Sequence, residues 1–203
     1  DEPIDISGYY LGDKVVEGGA SAEAMYNFPE GTVIDPYEVM VIARNSRGIE
    51  RLYGIEATFE FEETNPNVPK MIPNCDWGCA TTQLANYGDE VLLLDKNKKV
   101  IDAVVYAAGL YRGIKAHPGV GGKGRSLERT SDVDTKNVAV DFVEQPQPTP
   151  GVLLFGPNGR PDLVPESDLK DKVLRVNEPD TALVAGPTII DASEGMPETI
   201  PSN

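Results

Sequence analysis

The sequence predicts an all-β fold, on three observations. The 203 residues include 20 glycines and 17 prolines spread along the chain, and such punctuation breaks long helices while favouring short extended segments joined by turns. Apolar residues, 40 % of the total, gather in short runs of Val, Ile, Leu, Tyr and Phe, side chains that suit a pleated, half-buried surface. Residues 88–106 place two such runs on either side of the polar stretch Asp95-Lys96-Asn97-Lys98-Lys99, the pattern of an antiparallel hairpin with arms at 91–94 and 100–106.

Taken in order, residues 4–11 alternate apolar and polar side chains and meet Gly12-Asp13, as a half-buried strand ending in a turn does. The Gly/Ala/Glu-rich stretch 15–24 suits a loop or hairpin tip. After the turn at Phe28-Pro29-Glu30-Gly31 an extended run covers 32–34, Asp35-Pro36 breaks it, and 37–43 reads as a strand buried on both faces. Asn45 or Ser46 can cap a short helix that sets Ile49, Leu52 and Tyr53 on one face and stops at Gly54. Residues 55–80 hold Pro66, Pro69, Pro73 and both cysteines and read as a long irregular insertion; loops of that length are uncommon unless functional or pinned.

Further along, the glycine-rich stretch in 107–124 lacks the Lys-Ser/Thr ending of a phosphate-binding loop and reads as a turn. A strand follows at 125–129, with Arg125, Glu128 and Arg129 as a cross-strand charge ladder, then a polar turn at 131–137. Phe142-Val143 make a last core contact before Gln145-Pro146-Gln147-Pro148-Thr149-Pro150-Gly151, the composition of a linker. One domain therefore spans 1–151, and 152–203 is an extended, largely irregular segment whose short apolar stretches are too few for a core of their own.

Composition also excludes function classes. A formal net charge of −15 repels phosphate backbones, so nucleic acid is not an expected partner. No run of about 18 apolar residues exists, and no membrane span is expected. Cys75 and Cys79 are the only cysteines and His117 the only histidine, so one chain cannot assemble a four-ligand zinc site from soft ligands. Thiols so closely spaced in a loop join as a small disulfide if the chain is exported; a pair of reduced, partly buried thiols is the alternative. The turn holding Asp132 and Asp134, with Asp141 more distant, is the best place for a calcium ion, yet it lacks the glycine and terminal glutamate of an EF-hand loop. A solvated turn is the preferred reading, and no cofactor is expected. His117 has no nucleophile in a recognisable motif, and Ser126 lacks a nucleophile elbow. The chain is not expected to be an enzyme, nor to take a small-molecule substrate.

Four ordered segments carry a resemblance to a family. They are Glu2-Pro3-Ile4-Asp5-Ile6-Ser7-Gly8-Tyr9-Tyr10-Leu11, Phe28-Pro29-Glu30-Gly31-Thr32-Val33-Ile34, the hairpin beginning Gly88-Asp89-Glu90-Val91, and Gly124-Arg125-Ser126-Leu127-Glu128-Arg129 with Asp141-Phe142-Val143 and Pro148-Thr149-Pro150-Gly151. Together they resemble the lamin tail domain family, in its prokaryotic extracellular form, over about residues 1–151. The resemblance implies an immunoglobulin-like β-sandwich and a secreted or cell-surface location. It also implies a strand ahead of the segment that begins at Asp1, and that strand is missing. The chain opens on Asp1-Glu2-Pro3 and reads as mature, cleaved or excised from something longer.

A sandwich lacking one strand exposes unpaired backbone groups and a strip of core. Candidates to take part in filling the gap are Ile4 and Ile6 on one side and Val152, Leu153, Leu154, Phe155, Val173, Leu174, Val176, Leu183 and Val184 in the extension, acting within the chain or in a neighbouring copy. Residues 186–193 also resemble the opening strand of a further immunoglobulin-like domain. The expected function is a non-enzymatic extracellular structural or adhesive module, a subunit of a surface layer or filament, whose partners are other protein chains including copies of itself. The alternative is an accessory binding domain of a larger secreted hydrolase, a nuclease or phosphoesterase. A carbohydrate-binding module is a third reading, which needs Tyr9, Tyr10, Tyr37, Trp77 and Tyr111 on one exposed face.

Overall fold

A computed structural model describes residues 2–13, 23–78 and 80–153, together with the backbone of 183–185 and 188–190. Strands dominate. They are β1 (Ile4–Asp5), β2 (Tyr10–Gly12), β3 (Met25–Asn27), β4 (Val33–Ile34), β5 (Val41–Ala43), β6 (Phe59–Glu60), β7 (Ile72–Pro73), β8 (Gly88–Leu94), β9 (Val100–Ala107), β10 (Ser126–Arg129), β11 (Phe142–Gln145), β12 (Leu183–Ala185) and β13 (Thr188–Ile190), with helices α1 (Ser46–Tyr53) and α2 (Val138–Asp141). One sheet runs β7-β3-β2-β8-β9 and is antiparallel throughout. A second runs β11-β10-β12-β13-β5-β6, and β1 pairs with β4 in a small ribbon.

The β8–β9 hairpin follows its sequence pattern, and Asp95 explains the turn. Its Oδ1 accepts from the amides of Asn97 (2.8 Å) and Lys99 (2.9 Å), an aspartate closing a turn on its own backbone, while Lys98 takes a positive φ of 65°. Asn45 caps α1 by accepting from the Gly48 amide at 2.8 Å, and Gly54 ends it in the left-handed conformation.

Three segments differ from expectation. The run 4–11 is two strands, because Asp5 Oδ1 accepts from the Ser7 amide at 2.9 Å and Gly8 turns the chain at φ 71°. In 37–43 only Val41–Ala43 is a strand, and Tyr37 sits exposed at φ 63°. The insertion 55–80 contributes β6 and β7, each too short to show a period in sequence; β6 lies parallel to β5 and β7 antiparallel to β3.

Period-two alternation divides the side chains of each sheet between two faces. Leu11, Tyr26, Val91, Val104 and Tyr106 of the first sheet meet Ile42, Phe59, Leu127 and Phe142 of the second in one buried cluster. Their neighbours point away: Tyr10, Met25, Leu92, Leu94 and Ala103 gather around Trp77, and Val41 and Ala43 pack with Ile49 of α1. Arg129 ties the layers at their edge, reaching Asp102 on β9 at 2.5 Å with its guanidinium over the Phe142 ring.

Gly12 shows how tightly β2 and β3 approach. A methyl there would lie 2.2 Å from the Ala24 carbonyl oxygen and 2.9 Å from the Met25 Cα, both backbone atoms that only a strand shift can move. Gly12→Ala is expected to lower the unfolding free energy by about 2 kcal/mol, read as a lower urea midpoint at unchanged slope.

Candidate functional site

The second sheet is continuous only because β12 and β13 stand in its middle. β12 pairs parallel with β10, Ser126 opposite Leu183, Leu127 opposite Val184 and Glu128 opposite Ala185. Antiparallel pairing joins β12 to β13, and β13 runs parallel to β5 with Thr188, Ile189 and Ile190 opposite Val41, Ile42 and Ala43. All three residues of β5 are buried, as are Ser126, Leu127 and Glu128 of β10. Without the hairpin, these two strands would leave unpaired ladders inside the fold.

The chain leaves the core beside that position. Glu128, 2 % exposed, lies on the face of β10 opposite Leu127 and binds the proline run: Oε1 accepts from the Thr149 amide (3.0 Å) and the Ser126 hydroxyl (2.8 Å), and Oε2 from the Thr149 hydroxyl (2.9 Å). Pro150 is buried, and a side chain at Gly151 would touch Ile55 and Val41, each 3.6 Å away. Thr149 is thus fastened to β10 while Gly151 stands against β5. In the sequence Glu128 reads as part of a surface ladder with Arg125 and Arg129; in the structure Arg125 pairs with Glu144 (2.8 Å), Arg129 with Asp102, and Glu128 turns inward to hold the linker.

The remaining predicted residues are dispersed. Ile4 is exposed and pairs with Ile34, and Ile6 is buried with its amide on the Thr32 carbonyl, so β1 has β4 beside it and the hairpin stands elsewhere. Val152 is exposed and Leu153 half-buried, just past the Glu128 contact. Leu154, Phe155, Val173, Leu174 and Val176 lie outside the described residues, as do Gly186, Pro187 and 191–193.

Cys75 is disulfide-bonded, and Cys79 lies outside the described residues. Between them Trp77 is 5 % exposed and stacks on Tyr10 with ring centroids 5.7 Å apart, covering the outer face of the first sheet. With Cys79 as partner, the only other cysteine in the sequence, the bond closes a five-residue loop worth about 2 kcal/mol in chain entropy. Reduction is therefore expected to lower the melting temperature and red-shift the emission of this single tryptophan. Tyr10 and Tyr111 pack with Trp77, Tyr9 packs against the main core, and Tyr37 is exposed elsewhere; the aromatic residues do not share one open face.

Asp141 is buried and occupied, accepting from the Thr135 amide (3.0 Å) and hydroxyl (2.7 Å). Asp134 pairs with Lys136, whose side-chain hydrogen bond holds that carboxyl below its usual range, and Asp132 is exposed. Among the described residues no three His, Cys, Asp or Glu side chains are grouped to hold a metal ion. His117 Nδ1 accepts from the Gly119 amide at 3.0 Å, and burial lowers its pKa.

Two buried carboxylate features stand apart from the predicted site residues. Asp13 accepts from the amides of Ala24 (2.7 Å) and Gln83 (3.2 Å), while Asp89 accepts from Ala85 (2.8 Å) and Glu90 from Leu110 (3.3 Å). Tyr106 donates to the Ala85 carbonyl at 3.0 Å, so the loop 80–85 is clamped across the end of the first sheet. Burial, then repulsion from Asp89, drives Asp13 up to about 7 despite its amide bonds, and the same two causes bring Glu90 to about 7. Elsewhere, Glu60 is fully buried yet held below the ordinary carboxylate range: burial pushes it up, and bonds from Thr64, Asn65 and Ser46 outweigh that.

The described residues define a protein built mostly of β-strands with few helices, in which β12 and β13 stand between β10 and β5. No family model, curated protein or solved structure matches the chain. Among the described residues, no helix is long and apolar enough to cross a membrane.

Proposed function

We propose that the chain is an extracellular, non-enzymatic structural or adhesive module of lamin-tail type, an immunoglobulin-like β-sandwich over residues 1–151 that is completed by strand complementation from the extension. The observation that carries this reading is the position of β12 and β13 between β10 and β5. Main-chain ladders on both flanks supply the affinity in such an arrangement, and side-chain register supplies the specificity. Support also comes from two sheets sharing one core and from the disulfide at Cys75, a bond that persists in oxidising compartments. A module of this kind works by assembly, as a subunit of a surface layer or filament.

Truncation after Leu153 tests the reading. Loss of the hairpin is expected to leave an aggregating or partly unfolded protein, followed by light scattering and by amide exchange of β5 and β10. A truncated chain that stays monomeric and melts at the temperature of the full chain would falsify complementation.

A further inference from the structure

We propose that the bond between Asp35 and Pro36 is a self-cleavage site, at which the folded chain cuts its own backbone in mild acid. It is the only Asp-Pro pair in the sequence, so a single cut is expected.

Three features of the connection from β4 to β5 meet at that bond. Asp35, Pro36, Tyr37 and Glu38 form a tight turn in which the Glu38 amide donates to the Asp35 carbonyl oxygen at 3.0 Å. That carbonyl belongs to the bond to be broken, so the amide polarises it and is placed to stabilise the oxyanion formed when its carbon is attacked. The Glu38 carboxylate turns back and accepts from the Asp35 amide at 2.7 Å, which fixes the backbone on the other side of Asp35. Asp35 itself is exposed, and its carboxyl accepts no hydrogen bond among the described residues, leaving it free to reach its own carbonyl carbon. Just past the bond stands Tyr37 at φ 63°, in the third position of a turn where that conformation favours glycine. A bulky side chain there is strained, and the strain is released once the chain is open at Pro36.

The chemistry needs only water besides these residues. An Asp35 Oδ adds to the Asp35 carbonyl carbon and closes a five-membered cyclic anhydride, a carboxylate acting as nucleophile. The bond from that carbon to the Pro36 nitrogen breaks, and the carboxyl proton passes to the nitrogen, which leaves as a secondary amine. Water then opens the anhydride, restoring the Asp35 side chain and leaving a new carboxyl terminus; nothing is oxidised or reduced. The flanking elements bring two other carboxyl groups, Glu38 in the turn and Asp5 on β1 opposite Val33, and neither can close so small a ring. Cleavage leaves the two pieces assembled, because β2 pairs with β8 and β3 with β7 across the cut.

The test is incubation of the full chain at about pH 4, folded or in urea, followed by mass spectrometry under denaturing conditions. A fragment ending at Asp35 and one beginning at Pro36 are expected to accumulate at least about tenfold faster from the folded chain. Asp35→Ala, which alters only an exposed side chain, is expected to give neither fragment. Tyr37→Gly is expected to slow the folded reaction about fivefold, with circular dichroism establishing that both variants fold. Equal rates folded and in urea overturn the part played by the turn, and an unchanged rate in Tyr37→Gly overturns the part played by strain. A cut that persists in Asp35→Ala overturns the anhydride route, and a folded parent chain that stays intact overturns the site.

Discussion

Replacing Glu60 by alanine is expected to lower the free energy of unfolding by about 3–5 kcal/mol, among the largest single-site losses in this protein. The side chain is 0 % exposed, and both oxygens are fully engaged. Oε1 accepts from the amides of Thr64 and Asn65, each at 2.9 Å, and Oε2 from the Ser46 amide at 3.1 Å and the Thr64 hydroxyl at 2.5 Å. One carboxylate thus joins the first turn of α1 to the 64–65 turn beneath it. Alanine leaves four donors without their acceptor and opens a cavity beside β5. Glutamine is the sharper comparison, since its volume is nearly the same while its amide nitrogen faces donors where an acceptor is needed; a loss close to that of alanine is expected. Urea unfolding followed by circular dichroism measures both, and a loss below about 1 kcal/mol for alanine contradicts the assignment.

Stability is expected to fall as pH rises from about 5 to 8, by an amount on the order of 4 kcal/mol. Asp13 and Glu90 hold their protons to about 7 in the folded protein, whereas in the unfolded chain they release them near 4. Between those values the folded state binds more protons than the unfolded one, so their contribution is fully present below about 4 and is lost as pH rises through 7. Asp89 is shifted the same way by burial. Glu60, Asp134 and Glu144 are shifted down, so their contribution is present above their unfolded values and lost only in stronger acid. The two sets place the stability maximum in mildly acidic solution. Glu90→Gln keeps an acceptor for the Leu110 amide and removes the charge; it is expected to raise stability at pH 8 by on the order of 2 kcal/mol and to flatten the profile. Melting curves at pH 5, 6, 7 and 8 report this, and a mutant profile as steep as that of the parent chain would count against the buried-charge account.

Much of the local architecture was legible before the structure. Two apolar runs around a polar stretch in residues 88–106 mark the β8–β9 hairpin, and Asn45 or Ser46 with Gly54 brackets α1, because caps and turns are short-range chemistry carried by a few side chains. The two-residue strands β6 and β7 were not legible, since their pairing depends on strands distant in sequence. Glu128 was misplaced for a related reason: in a strand, charge suggests solvent, and only the return of Thr149 over the sheet makes that face an interior.

The amino-acid sequence by itself determined the β character, the turn between β8 and β9 and the net negative charge, all of which follow from side-chain shape, backbone preference and charge within a few residues. Tertiary structure decided where the strands at 183–185 and 188–190 go. Short apolar runs such as those at 183–185 and 188–190 carry no address of their own; the open ladders of β5 and β10, brought together by the rest of the fold, provide it. The same holds for the clustered carboxylates: Asp13, Asp89 and Glu90 become a pH-sensitive group only when chain segments more than 70 residues apart are buried side by side.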